Sequence, residues 1–432
     1  MTPNPYRTRK LVLLGLMIGS VLPFFLLFDV SRFFVPNLLG LIGGVLIFWQ
    51  FLLGNRLMVG KWIPDLIWVN WLHKQLGIYG FLLILLHPLL LAQQRGWELL
   101  YAPPDLASSY DIAVANGRLG LMLLFVIWIS SALLRGKLPF RFWRYFHYLT
   151  YPIFPLVYLH AVQIGTMLLI TPALMIYWQG LGIFFALTLL YRIGTLFGLG
   201  QQRYQVVAVE QVTGDVYRYR LVPLGRGITP ASGQFAYLQP RLFAEAHPFT
   251  VSHFDAGNRE ISFSIKQVGK FTQPLPWLVK PGDTVRVDGP YGVFTREAQT
   301  TGRPIVLIAG GIGITPFLRL MRACGQTHLV TLFYGNRTAD DIAYREDVEK
   351  ALDGVTSESK VVHVLSMPRE EEKKQFETGY VSLDLLKKYL SQPLEEYEFL
   401  ICGPPTMMVA VAKTLEGAGV PTSQIDTERF SL

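Results

Sequence analysis

Four histidines carry the chemistry that stands out first: His73, His87, His147 and His160. No other histidine occurs before His247, and all four lie in long apolar runs. An imidazole inside hydrocarbon is costly, so such a residue points to function by default. The first pair is 14 residues apart and the second 13. On helices rising about 1.5 Å per residue, each spacing separates two levels by roughly 20 Å. If the two helices run in the same direction, His73 shares a level with His147, and His87 with His160. Two facing imidazoles at each level could ligate two haem irons, one above the other. The competing explanation is interhelical hydrogen bonding between histidines. Fourteen residues are nearly four turns, so His73 and His87 share a helix face. Thirteen residues leave His160 off the face of His147 on an ideal helix. Pro152 and Pro155 lie between them, so the spacing predicts a distorted fifth helix. Bis-histidine ligation leaves no open axial position, which suits electron transfer better than substrate binding.

The elements that must hold these histidines follow from composition. The chain has 432 residues, 51% hydrophobic and 16% charged, against roughly 25% charged in ordinary globular domains. The bias is confined to residues 11–200. Six stretches there reach the length needed to cross about 30 Å of hydrocarbon: 11–29, 37–54, 66–91, 118–135, 145–167 and 173–197. Basic residues favour alternate loops. Arg7, Arg9, Lys10, Arg56, Lys61, Arg135, Lys137, Arg141, Arg144, Arg192 and Arg203 fall on one side. Arg32, Arg95 and Arg118 fall on the other. The richer side is expected to be cytoplasmic, with both termini there. That makes His73 and His147 the inner pair. Arg118 outside, and Arg56 or Arg144 inside, are candidates for haem propionates; lipid headgroup contact explains each equally well. The basic N-terminus resembles a secretory leader, but its apolar run is long, lacks a small-residue cleavage site and precedes further spans. The net charge of +8 is read as topology, with no nucleic-acid partner implied. Cys324 and Cys402 are the only cysteines, so no disulfide framework is expected and a reducing compartment fits.

The remaining chain reads as soluble. Short alternating runs between 203 and 298, such as Ile261–Ile265, predict an antiparallel barrel. From 303, buried runs alternate with helical segments, which predicts an α/β nucleotide-binding domain with a parallel sheet. The fold expected is thus a six-helix transmembrane bundle over 1–200, an antiparallel β-barrel FAD domain over 201–300 and an α/β parallel-sheet NAD(P)H domain over 301–432.

Two motif groups fill these domains. His247, Pro248, Phe249 and Thr250 end a strand, and Lys266, Gly269 and Thr272 follow. Phe249 can stack on a flavin ring and Thr250 can hydrogen-bond its N5. Gly269 permits close approach to a diphosphate, to which the Thr272 hydroxyl can donate. Gly310, Gly311, Gly313, Thr315 and Pro316 join a buried strand to a helix, the setting in which glycines cradle a pyrophosphate. Arg337 after the next strand can bind an adenosine 2′-phosphate, favouring NADPH over NADH. Cys402, Gly403 and Pro404 close a later strand, with Cys402 toward the nicotinamide. Phe430 can cover the flavin until nicotinamide displaces it. Thr250, Cys402 and Phe430 are the expected catalytic residues.

Residues 203–432 resemble the ferredoxin–NADP reductase superfamily, and 60–200 look like the ferric reductase transmembrane domain. The whole is similar to the NADPH oxidase and ferric reductase family, particularly its single-chain bacterial members. His247 is the variant of the flavin motif seen there, where ferredoxin reductases have arginine, and Gly289-Pro-Tyr-Gly292 also matches. No EF-hand pattern is present, so calcium control is not implied. The resemblance implies an integral membrane protein of a bacterial-type inner or plasma membrane. Its cofactors would be FAD and two b haems. Electrons would pass from cytoplasmic NADPH (or NADH) through FAD to the haems and then to O2, giving superoxide, or to a ferric chelate. No obligatory protein partner is implied. The rival expectation is a haem-free, membrane-anchored flavoprotein reductase.

Overall fold

In a computed structural model of the chain, the residues described are 5–27, 34–296, 298–324, 328–352 and 359–428. They divide into two compact units, 1–195 and 196–432.

The first unit is helical. Five segments are long and apolar enough to cross a membrane: Tyr6–Leu26, Val35–Leu53, Leu66–Arg95, Ser109–Leu133 and Pro172–Leu196. Their starts are set by local chemistry. Asp65 accepts from Trp68 N at 3.0 Å and from Lys10 Nζ at 2.6 Å, so it caps the Leu66–Arg95 helix and ties it to the first segment. Ser108 caps the Ser109–Trp128 helix by accepting from Asp111 N at 3.2 Å. The Phe34–Leu53 helix packs along Leu66–Arg95, and Ser109–Trp128 packs along Thr150–Ile164. Trp178, Phe24 and Phe154 are fully buried in the core of this unit. Gly44 makes room for the Trp178 indole, which a Cβ there would overlap.

The fifth apolar stretch differs from the single span expected over 145–167. It consists of Phe140–His147, Thr150–Ile164 and Thr166–Ile170. The second break falls at Gly165, whose ψ of 92° is extended; the first is caused by Pro152, which has no N–H to offer the Tyr148 carbonyl. Tyr151 N bonds that carbonyl instead, at 3.2 Å, and Leu149 N bonds Phe146 O at 3.0 Å. These i→i−3 bonds tighten the chain locally. Each residue in such a turn advances about 120° rather than 100°, which carries His160 back toward the face of His147.

The second unit holds two sheets. Strands β1 (Gln202–Thr213), β2 (Val216–Pro223), β3 (Phe235–Gln239), β4 (His247–Phe254), β5 (Ile261–Lys266) and β6 (Thr284–Tyr291) form a closed antiparallel barrel in the order β1-β2-β5-β4-β3-β6. Alternate residues such as Tyr204, Val206, Tyr219, Leu221, Val285 and Val287 fill its interior. The parallel sheet contains β7 (Ile305–Gly310), β8 (Val330–Asn336), β9 (Lys360–Leu365), β10 (Glu377–Thr378), β11 (Glu398–Cys402) and β12 (Ile425–Glu428). Its order is β10-β9-β8-β7-β11-β12. The order reverses between β7 and β11, so a crevice opens at their carboxyl ends. Barrel and sheet are clasped by Arg319, which donates to Ala231 O at 3.0 Å and Pro230 O at 2.9 Å.

Candidate functional site

The histidines meet in the pairs their depths dictate. The ring centroids of His73 and His147 are 6.0 Å apart, and those of His87 and His160 are 6.2 Å apart. Two metal–imidazole bonds of about 2.0 Å, plus roughly 1.1 Å from each ring nitrogen to its centroid, sum to about 6.2 Å. Each pair is therefore spaced to hold one iron between its rings. Direct hydrogen bonding between the rings would bring them closer, since nitrogen–nitrogen contact at about 3 Å gives roughly 5 Å between centroids. His87 and His160 also line an apolar cavity of about 570 Å³, within the range of cofactor pockets. His147 stacks on Trp143 at 4.8 Å, and Trp143 Nε1 donates to Ser131 Oγ at 3.0 Å.

Arg118 lines that same cavity. Its guanidinium donates to the carbonyls of Leu99 (2.7 Å), Ala102 and Glu98 (3.5 Å), so the arginine also closes the short Glu98–Tyr101 helix. Arg95 is a second cavity-lining cation.

In the second unit, register places the flavin motif beside the nicotinamide crevice. Thr250 on β4 pairs with Phe235 on β3, and Phe235 pairs with Tyr291 on β6. The Phe235 ring lies against Gly292, where a Cβ would be 3.1 Å from the ring and 3.7 Å from Glu428 Oε1. Glu428 in turn is in register with Cys402. Thr250, Gly292, Glu428 and Cys402 thus follow one another across the junction of barrel and sheet.

Several of these groups are buried without partners. Thr250 Oγ1 has none among the described residues. An orphaned buried hydroxyl costs about 1–3 kcal/mol, which a flavin nitrogen in bonding reach would offset. The His247 ring stacks on Phe271 at 3.8 Å, and Phe249 lies 6.2 Å from the same ring at 24°. Phe271 thereby extends the aromatic platform of the flavin motif. Lys266 pairs with Asp215 at 3.2 Å. Thr272 Oγ1 accepts from Val268 N at 2.9 Å and Gly269 N at 3.1 Å, so it closes its own turn. Space beside Gly269 is open.

The glycine cluster is explained largely by how closely two strand ends meet. At Gly310, a Cβ would lie 2.7 Å from Pro404 Cδ; at Gly403, it would lie 3.0 Å from Gly310 Cα. At Gly313 it would fall on the Cys402 carbonyl. Gly311 is different: its φ of +52° lies in the left-handed region that favours glycine, and nothing stands within 4 Å. Thr315 and Pro316 begin the Thr315–Cys324 helix and are buried. Arg337 is exposed after β8, held by Asp341 at 3.2 Å and 4.0 Å from Asp215. Phe430 lies outside the described residues.

Glu428 had no signal in the sequence. It is 5% exposed, and its Oε2 has no partner among the described residues. Burial pushes its carboxyl up to about 8, and burial first, then Glu428, pushes the Cys402 thiol up as well. The folded carboxyl stays neutral while the unfolded one ionises above about 4.5. Stability is therefore fully present below that value and falls as pH rises, by up to ~1.4 kcal/mol per unit, until the folded group ionises. Glu428→Gln should flatten this slope and melt higher than the parent at pH 8. Flavin-release melting curves of the full chain in detergent between pH 5 and 8, with parallel slopes in both proteins, would contradict it.

Residues 39–158 match the family described as ferric reductase like transmembrane component, and 307–413 match the oxidoreductase NAD-binding domain. Over 238 residues the chain is 30% identical to the propane 2-monooxygenase reductase component of Mycolicibacterium goodii, covering 53% of this chain and 67% of that protein. It is 34% identical over 163 residues to NADH-cytochrome b5 reductase 1 of Pyricularia oryzae, covering 35% of this chain and half of that one. A solved ferredoxin reductase of carbazole 1,9a-dioxygenase aligns with a TM-score of 0.47 at 27% identity, over 54% of this chain and 69% of that one. The chain is therefore an oxidoreductase in which a ferric reductase like transmembrane component precedes an oxidoreductase NAD-binding domain, an arrangement consistent with the ferric reductase and NADPH oxidase-type fusions.

Proposed function

We propose that the chain moves electrons across a membrane from cytoplasmic NADPH, through FAD and two bis-histidine b haems, to an acceptor on the opposite side. The observation that carries this reading is the spacing of the two histidine pairs, 6.0 and 6.2 Å between ring centroids. When bound, the flavin would convert a two-electron hydride donor into single-electron steps that haems can relay. The protein's own part is positioning. His73 and His147 hold the inner site, and His87 and His160 the outer one, about 21 Å away along the Leu66–Arg95 helix. The segments between Phe140 and Ile170 complete a sixth crossing, which keeps both termini on the basic, cytoplasmic side. The Thr250 hydroxyl would hold the flavin N5, Phe249 would stack on the flavin ring with Phe271 beside it, and Cys402 and Glu428 would border the nicotinamide. Gly310, Gly311 and Gly313 with Gly403 and Pro404 bound the pyrophosphate crevice.

Arg337, steadied by Asp341, serves the adenosine 2′-phosphate. Arg337→Ala should raise KM for NADPH about tenfold while leaving KM for NADH within about twofold, a difference of ~1.4 kcal/mol. Equal changes for both nucleotides would remove Arg337 from that role.

Oxygen, reduced by one electron to superoxide, is the acceptor proposed first. A ferric chelate on the same path is the second reading, favoured by the family that residues 39–158 match. NADPH consumption by reconstituted protein, under air and under nitrogen with ferric citrate, separates them. Consumption under air with stoichiometric superoxide supports the first. Consumption only with ferric citrate replaces it by the second.

A further inference from the structure

The two histidine pairs are not built alike. His87 Nδ1 lies 2.6 Å from the carbonyl oxygen of Pro36, and His160 Nδ1 lies 2.9 Å from that of Ala113. A carbonyl can only accept, so each Nδ1 carries the proton and each Nε2 is left to face the other ring. Four residues beyond each carbonyl, one helical turn on, stands a glycine. A Cβ at Gly40 would be 2.8 Å from both His87 Cε1 and Nδ1; at Gly117 it would be 2.6 Å from His160 Nδ1. Both distances are shorter than real Cβ contacts, and neither ring can withdraw without losing its carbonyl. Each outer imidazole therefore sits in a slot on the neighbouring helix, made of a carbonyl at i and a glycine at i+4. One slot is on the Phe34–Leu53 helix and the other on the Ser109–Trp128 helix.

At the His73–His147 level only a looser counterpart exists: the Gln50 carbonyl faces the His73 ring one turn before Gly54, and the His147 ring has no carbonyl-and-glycine pair against it among the described residues. His147 Nδ1 is buried without a hydrogen-bond partner among the described residues, and a Cβ at Gly54 would stand at an ordinary 3.8 Å from His73 Cε1, a full ångström looser than at Gly40. The ring planes differ too: 84° apart in the slotted pair and 61° in the other.

We infer that Gly40 and Gly117 are positioning residues dedicated to the His87–His160 haem, fixing tautomer, depth and a near-perpendicular setting of its two axial planes. The inference rests on the di-haem reading above. Perpendicular axial planes leave the iron dπ orbitals nearly equal in energy. The ferric low-spin haem at this level then gives an electron paramagnetic resonance signal with one very large g value.

The test uses full-length protein in detergent, with haem counted per chain and the ferric spectrum recorded. The parent should carry two haems, one with the large-g signal. Gly40→Ala and Gly117→Ala should each lose that signal and fall toward one haem per chain, with NADPH still reducing the flavin. Gly54→Ala should keep both haems. Two haems and an unchanged large-g signal in either slot variant would overturn the inference. If a variant does not accumulate, the parent decides: two haems without a large-g signal also overturn it. A parent without haem fails the di-haem reading itself, a different result from the same preparation.

Discussion

Replacing His160 by alanine should abolish reduction of the far-side acceptor while leaving flavin reduction by NADPH intact. The imidazole is held on both sides, by the Ala113 carbonyl at 2.9 Å and by the surface of Gly117. On the proposed path it would supply one of the two ligand nitrogens at its level, and among the residues lining its cavity of about 570 Å³ the other histidine is His87. Alanine would then leave one imidazole to hold the haem and an enlarged apolar void. Loss of groups that merely orient a metal ligand costs about 10–100-fold, so loss of the ligand itself should reduce acceptor turnover by roughly a hundredfold or more. His87→Ala should behave alike. The flavin crevice belongs to the other unit, so bleaching of the flavin on mixing with NADPH should keep its rate. Stopped-flow flavin bleaching beside steady-state acceptor reduction checks both halves. Persistence of acceptor reduction in either variant would remove these histidines from the path.

Gly313→Ala should produce the opposite phenotype. The added methyl would fall on the Cys402 carbonyl and within 2.8 Å of Gly403 Cα. These are backbone atoms of β11 and its turn, so no side chain can rotate away. The ends of β7 and β11 must separate, and they form the crevice at the strand-order reversal. Overpacking of this kind costs typically 1–3 kcal/mol, and more where only backbone can move. NADPH-dependent flavin reduction should be lost while dithionite still reduces both haems. Gly311→Ala meets nothing within 4 Å but has φ at +52°, so only about 1–2 kcal/mol of backbone strain is expected. Gly269→Ala, with open space and no left-handed φ, should be nearly neutral in melting temperature. Equal effects at 311 and 313, read by melting temperature and flavin-reduction rate, would refute the packing explanation.

Much of this arrangement is legible before any coordinates. Histidines are rare in apolar runs, so their spacing by depth already pairs His73 with His147 and His87 with His160. Alternation of period two and buried runs between helical segments likewise announce the barrel and the parallel sheet. The 13-residue spacing across Pro152 and Pro155 predicts distortion, but not that residues 148–151 carry it. That depends on which carbonyl loses its donor. The slots at Gly40 and Gly117 are hidden because small residues are common throughout membrane helices. Nothing in sequence marks the two that face an imidazole. Thr272 illustrates another blind spot. A hydroxyl three residues past a glycine suits a diphosphate, yet here it already accepts from the backbone of its own turn. Glu428 is invisible for a different reason: a carboxylate reads as a solvated charge until burial beside Cys402 is known.

The central claim is that two irons sit between two histidine pairs. Haem content and the dithionite-reduced spectrum of purified full-length protein test it most directly. The account predicts two b-type, low-spin haems per chain. No haem, or one haem that survives both His87→Ala and His73→Ala, would contradict it.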